Sequence, residues 1–133
     1  MPIRYQLDTN IASFVIREEP LVTRRFNSIR PEQIFISVVT EAELLFGIAR
    51  KPEATRLQKS VRGFLSGIEI TEWNSAAAKH FAEERAVLER SGRMLNDIDM
   101  MIAAHALAED AILVTNDAAF QRISHLKIED WTV

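Results

Sequence analysis

Short apolar runs alternate along this chain with longer stretches of helical periodicity, and that alternation predicts the fold. Residues 3–7 read as a short buried strand, and Asn10 is placed to cap a helix running to about Arg17. Pro20 suits the first turn of a second helix over 21–29, and residues 33–37 form the next strand. Thr40-Glu41-Ala42-Glu43 matches a capping box and starts a helix through Arg50. Pro52 opens another, with Leu57, Val61, Phe64 and Leu65 on one helical face, and Gly67 stops it. A third strand follows at 68–71. Asn74 or Ser75 then caps a long helix ending near Gly92. The loop 93–96 leads to a helix over 97–108, a fourth strand at 111–115, a short helix at 118–122 and an edge strand at 127–131. Helices between strands call for an α/β fold, a parallel sheet of about five strands with helices on both faces and right-handed crossovers.

The pattern also places acidic residues. Asp8 follows the first apolar run, Glu43 comes shortly after the second, Asp99 opens Met100-Met101-Ile102-Ala103-Ala104, and Asp117 follows Ile112-Leu113-Val114-Thr115. Carboxyl ends of parallel strands share one edge, where ligands bind. Carboxylates delivered there converge, and they cannot crowd together ionised without a cation between them. Hard oxygen donors with no Cys point to Mg²⁺ or Mn²⁺ and to phosphoryl chemistry.

Each acid also has a local reason to exist. Asp8 neighbours a cap, and Glu43 stands where a capping box wants Glu. Asp97 and Asp99 lie in a first helical turn, where the dipole favours acids. Asp117 suits a turn. Glu41 is roughly 200° around the helix from Glu43 and faces elsewhere. The joint pattern, acids at successive strand ends, is what capping does not explain.

Composition narrows the class. With 133 residues, 47% hydrophobic and 26% charged, the chain fits one globular domain over 1–133. No run approaches a membrane span, the N-terminal residues lack the apolar core of a signal peptide, and the absence of Cys suits the cytoplasm. The net charge of −3 divides unevenly, with ten Lys/Arg against seven Asp/Glu in 1–67 and six against twelve in 68–133. Arg24, Arg25, Arg30, Arg50, Lys51, Arg56, Lys59 and Arg62 form a loose basic series that fits phosphate contacts and fits solvated helix faces equally. His105, among alanines, reads as a partly buried helix residue, and Trp73 and Trp131 as packing residues. Phosphatases of the haloacid-dehalogenase type and phospho-receiver domains also begin from a strand-end Asp. Both want further acids beside it and a suitably placed Lys, which the last strands do not offer.

Leu7-Asp8-Thr9-Asn10, Ser37-x-x-Thr40-x-x-Glu43-Leu44-x-x-Gly47, Asp99-x-x-Ile102-Ala103-Ala104-His105-Ala106 and Thr115-Asn116-Asp117-x-x-Phe120 together resemble PIN-domain proteins. The closing Ile128-Glu129-Asp130-Trp131 resembles the end of VapC toxins, the ribonuclease halves of bacterial VapBC pairs. The resemblance covers essentially the whole chain. It implies a Mg²⁺- or Mn²⁺-dependent endoribonuclease with Asp8, Glu43, Asp99 and Asp117 around one or two ions, and it favours Asp99 over Asp97. Asp8 and Asp99 would hold the main ion, Glu43 would ligate it or orient water, and Asp117 would complete the site. Asn10 and Thr115 would fix carboxylate orientation. It further implies a VapB-type antitoxin partner, a homodimer within a larger toxin–antitoxin assembly, and tRNA as substrate, initiator tRNA cut in the anticodon loop among them. The alternative is a PIN-like module that binds RNA or protein without cutting.

Overall fold

A computed structural model describes residues 2–133. Five strands form one sheet: β1 (Tyr5–Leu7), β2 (Ile34–Ser37), β3 (Glu69–Thr71), β4 (Ile112–Val114) and β5 (Ile128–Glu129). They run in the order β3-β2-β1-β4-β5, every neighbouring pair parallel. The central strand β1 pairs residue for residue with both flanks, Leu7 opposite Ile36 on one side and Val114 on the other.

Six helices connect the strands: α1 (Thr9–Ile16), α2 (Pro20–Asn27), α3 (Val38–Ala49), α4 (Thr55–Gly67), α5 (Ser75–Ser91) and α6 (Asp97–Ala108). Short 3-10 turns at Pro31–Gln33 and Ala118–Arg122 complete the elements. Two apolar clusters show that both sheet faces are covered. One packs Leu7, Ile36 and Val114 against Ile11, Val22, Ile48 and Val61 of α1–α4. The other packs Leu113 against Leu88, Met100, Ile102 and Ala103 of α5 and α6, with Phe120. The parallel sheet therefore stands as expected. No helix among the described residues is long and apolar enough to cross a membrane.

Three helix starts differ from the sequence reading. Asp8, not Asn10, caps α1, its carboxylate accepting from Ile11 N–H at 2.8 Å. Asn10 lies inside the helix. Ser37 caps α3 by accepting from Val39 N–H at 3.0 Å, so the helix starts a turn before the capping-box pattern at Thr40. The third helix difference is at α4, which begins at Thr55 rather than at Pro52. Gly92 ends α5 in the left-handed region, φ 68°, where a side chain would be strained.

Candidate active site

The carboxyl edge of β1, β2 and β4 opens into a cavity of about 270 Å³. Asp8, Glu43, Asp99 and Asp117 all line it, beside Thr9, Asn10 and Ser13. Two carboxylates arrive directly from strand ends, Asp8 after β1 and Asp117 shortly after β4. Glu43 comes from the second turn of α3 and Asp99 from the first turn of α6, whose N-termini face the same edge.

Each carboxylate is held by a neutral donor. Asp8, only 5% exposed, accepts from Ile11 N–H and from the Thr115 hydroxyl. Glu43 Oε1 accepts from the Thr9 hydroxyl, which also bonds the buried Thr40 hydroxyl at 3.2 Å. Asp99 Oδ2 accepts from the Asn96 amide at 2.9 Å, and Asp117 Oδ1 from Ala119 N–H at 2.9 Å. Among the described residues, none of the ion pairs involves any of the four. The neighbouring acid Asp97 contrasts with them: it turns outward to Arg85 at 2.5 Å, leaving Asp99 as the member of that pair in the cavity. Glu41 does not line the cavity.

Charge without counter-charge has a cost. Burial pushes the Asp8 carboxyl up to about 6, with Asp99 and Asp117 adding to the rise against the opposing hydrogen bonds. Burial, then Asp117 and Glu43, also raises Asp99, and only Asn96 opposes them. The donor set is therefore oxygen-only, anionic and uncompensated among the described residues, which fits a hard divalent cation. As the side chains stand, no three ligand-type residues among those described close around an ion. Asp8 is buried, Glu43 and Asp99 are half-buried and Asp117 is exposed.

Thr115 lies against Asp8, and its oxygen accepts from Asp117 N–H at 3.0 Å. Asn10 lines the cavity but donates to Asn116 across its rim at 3.0 Å rather than to a carboxylate. Thr9, Thr40 and Asn96 were not anticipated as supports. Asn96 had a visible signal, a capping residue three positions before Asp99. His105 is wholly buried rather than partly, its Nδ1 lying 2.7 Å from Ser37 Oγ at the cap of α3. Burial holds that imidazole below its ordinary value.

The chain matches the PIN domain family over residues 5–126. It is 36% identical over 131 residues to a tRNA(fMet)-specific endonuclease VapC of Shigella flexneri, covering 98% of this chain and 99% of that protein. A ribonuclease VapC2 of Haemophilus influenzae is 35% identical over 131 residues, covering 97% and 98%. Among solved structures, DNA-bound VapBC from Salmonella typhimurium contains a chain with a TM-score of 0.90 and 35% identity, covering 98% of this chain and 99% of that one.

Proposed function

The chain belongs to the PIN domain family, and from that membership we propose that it is a VapC-type endoribonuclease toxin that hydrolyses RNA with the help of Mg²⁺ or Mn²⁺. The observation that carries the reading is the cavity lined by four carboxylates that no basic side chain neutralises. Near-full-length relatives named as ribonucleases and endonucleases support the reaction class, and the VapBC structures support an antitoxin of the VapB type as partner. The tRNA(fMet) named for the Shigella relative makes initiator tRNA the first substrate to test.

When bound, a divalent cation lowers the pKa of water and offsets charge on the phosphate under attack. The residues supply binding and orientation. Asp8 and Asp99 would hold the ion, with Ile11 N–H, Thr115 and Asn96 orienting their carboxylate oxygens. Glu43 has Oε1 engaged by Thr9, which leaves Oε2 to orient the attacking water and accept its proton. Asp117, at the exposed rim, completes the anionic wall. No protein nucleophile is needed, which agrees with a chain without Cys.

The test is direct. Purified antitoxin-free protein is incubated with total RNA in Mg²⁺ or in EDTA, and new RNA ends are mapped. Cuts at a defined position in one tRNA, present with Mg²⁺ and absent in EDTA, are expected. Well-folded protein that binds RNA but produces no ends would instead identify a non-cutting module.

A further inference from the structure

Asp99 is one of two half-buried acids that the cavity gathers. Its carboxylate faces Asp117 and Glu43, and both repel it. It is half-buried on the first turn of α6, so rotation toward solvent would relieve that repulsion. One side chain opposes the rotation. Asn96 accepts from Asp99 N–H through Oδ1 at 2.8 Å and donates from Nδ2 to Asp99 Oδ2 at 2.9 Å. The same carboxamide therefore caps the helix with one arm and clamps the carboxylate with the other.

The loop that carries Asn96 is itself anchored. Leu95 is buried in the α5–α6 cluster, and Arg122 donates to Met94 carbonyl at 2.8 Å. Arg122 ends the 3-10 turn that Asp117 caps, so the supports of Asp99 and Asp117 are tied together. Residues suited to the capping position are few: Ser, Thr, Asp, Asn and Gly. Of these, Asn alone offers a planar fork with one accepting and one donating arm, whereas Asp would set a further negative charge against Asp99.

We propose that Asn96 is a positioning residue, holding the Asp99 carboxylate in the cavity against its acidic neighbours and thereby setting the affinity for the divalent cation. The inference rests on the reading of Asp99 as a cation ligand. Asn96→Ser separates the two roles, because a serine oxygen caps the same N–H without the second, donating arm. Asn74→Ser is the control. Asn74 caps α5 in the same way, accepting from Ala77 N–H at 3.1 Å, but does not line the cavity.

Mn²⁺ binding to the whole metal-free protein is measured from the loss of the free-ion paramagnetic resonance signal, alongside thermal melts in EDTA. Asn96→Ser is expected to weaken Mn²⁺ binding by about tenfold or more. Its melting temperature in EDTA should match that of Asn74→Ser, which should keep wild-type affinity. Two failures are distinguishable. If wild type binds no Mn²⁺, or Asp8→Asn and Asp99→Asn bind it as wild type does, the metal reading falls and this inference with it. If those two lose binding while Asn96→Ser stays within twofold of wild type, the clamp alone is overturned.

Discussion

Replacing Asp8 by Asn tests whether the acid cluster is a functional load on the fold. Asp8 is 5% exposed, and its carboxyl is raised from 3.8 to about 6. A shift of about two units corresponds to about 3 kcal/mol between its two protonation states. The sign follows from linkage: the folded state holds this proton more tightly than the unfolded state does. The associated stability is fully present below about pH 3.8 and is lost as pH rises through about 6. Asn carries no charge, yet its side-chain oxygen can still accept from Ile11 N–H and cap α1. Metal-free Asp8→Asn should therefore exceed wild type by up to about 3 kcal/mol above pH 7, the margin closing toward pH 4. For a domain of this size the unfolding entropy is roughly 0.28 kcal/mol per kelvin, so the rise in Tm is at most about 10 °C. The assay is a set of thermal melts in EDTA from pH 4 to 8, with RNA cleavage scored separately and expected to vanish. Mg²⁺ at about a hundredfold its Kd should stabilise wild type by about 2.7 kcal/mol and the variant far less. Equal melting temperatures at pH 7.5, or a difference that does not change with pH, would refute the argument.

Three other outcomes are expected. Glu43→Gln should abolish most cleavage while Glu41→Gln leaves it nearly intact, and equal losses in a cleavage assay would contradict the register of α3. Expression of the chain alone should arrest bacterial growth, and a co-encoded antitoxin should relieve it; harmless accumulation of folded protein would count against the toxin assignment. The depressed His105 imidazole gives a pH dependence opposite to that of Asp8: the folded state binds this proton less tightly, so stability should fall as pH drops below about 6.5. Melts of His105→Gln should lack that component, and an unchanged acid-side slope would sink the idea.

The sheet was legible because its central strands β2, β1 and β4 are short, largely buried runs and the crossovers before β4 carry helical periodicity. The helix starts were less so. Asp-Thr-Asn offers a capping residue at each of its three positions, and only the path of the chain leaving β1 selects Asp8. Thr40 and Glu43 had the spacing of a capping box, but Ser37, ending β2, captures Val39 N–H first. That choice places Glu43 beyond the first turn, where no backbone amide engages it and its carboxylate is free for the cavity. Asp8 and Asp117 stand at strand ends and Glu43 and Asp99 near helix starts, positions visible in the sequence, whereas their supports were not. Ser37 and His105 are 68 positions apart, and Asn10 and Asn116 are 106 apart, separations across which no local pattern reports.

The central place of β1 also has a consequence in time. Asp8 leaves a strand whose two neighbours are separated by most of the chain, β2 soon after it and β4 only at Ile112–Val114. A chain synthesised from its N-terminus at about 5–20 residues per second carries Asp8 for several seconds before Asp117 has been made. Until β4 slots in beside β1, the cavity lacks the wall that carries Asp117. On the ribonuclease reading proposed above, the cutting edge thus cannot assemble before Asp117 has been made.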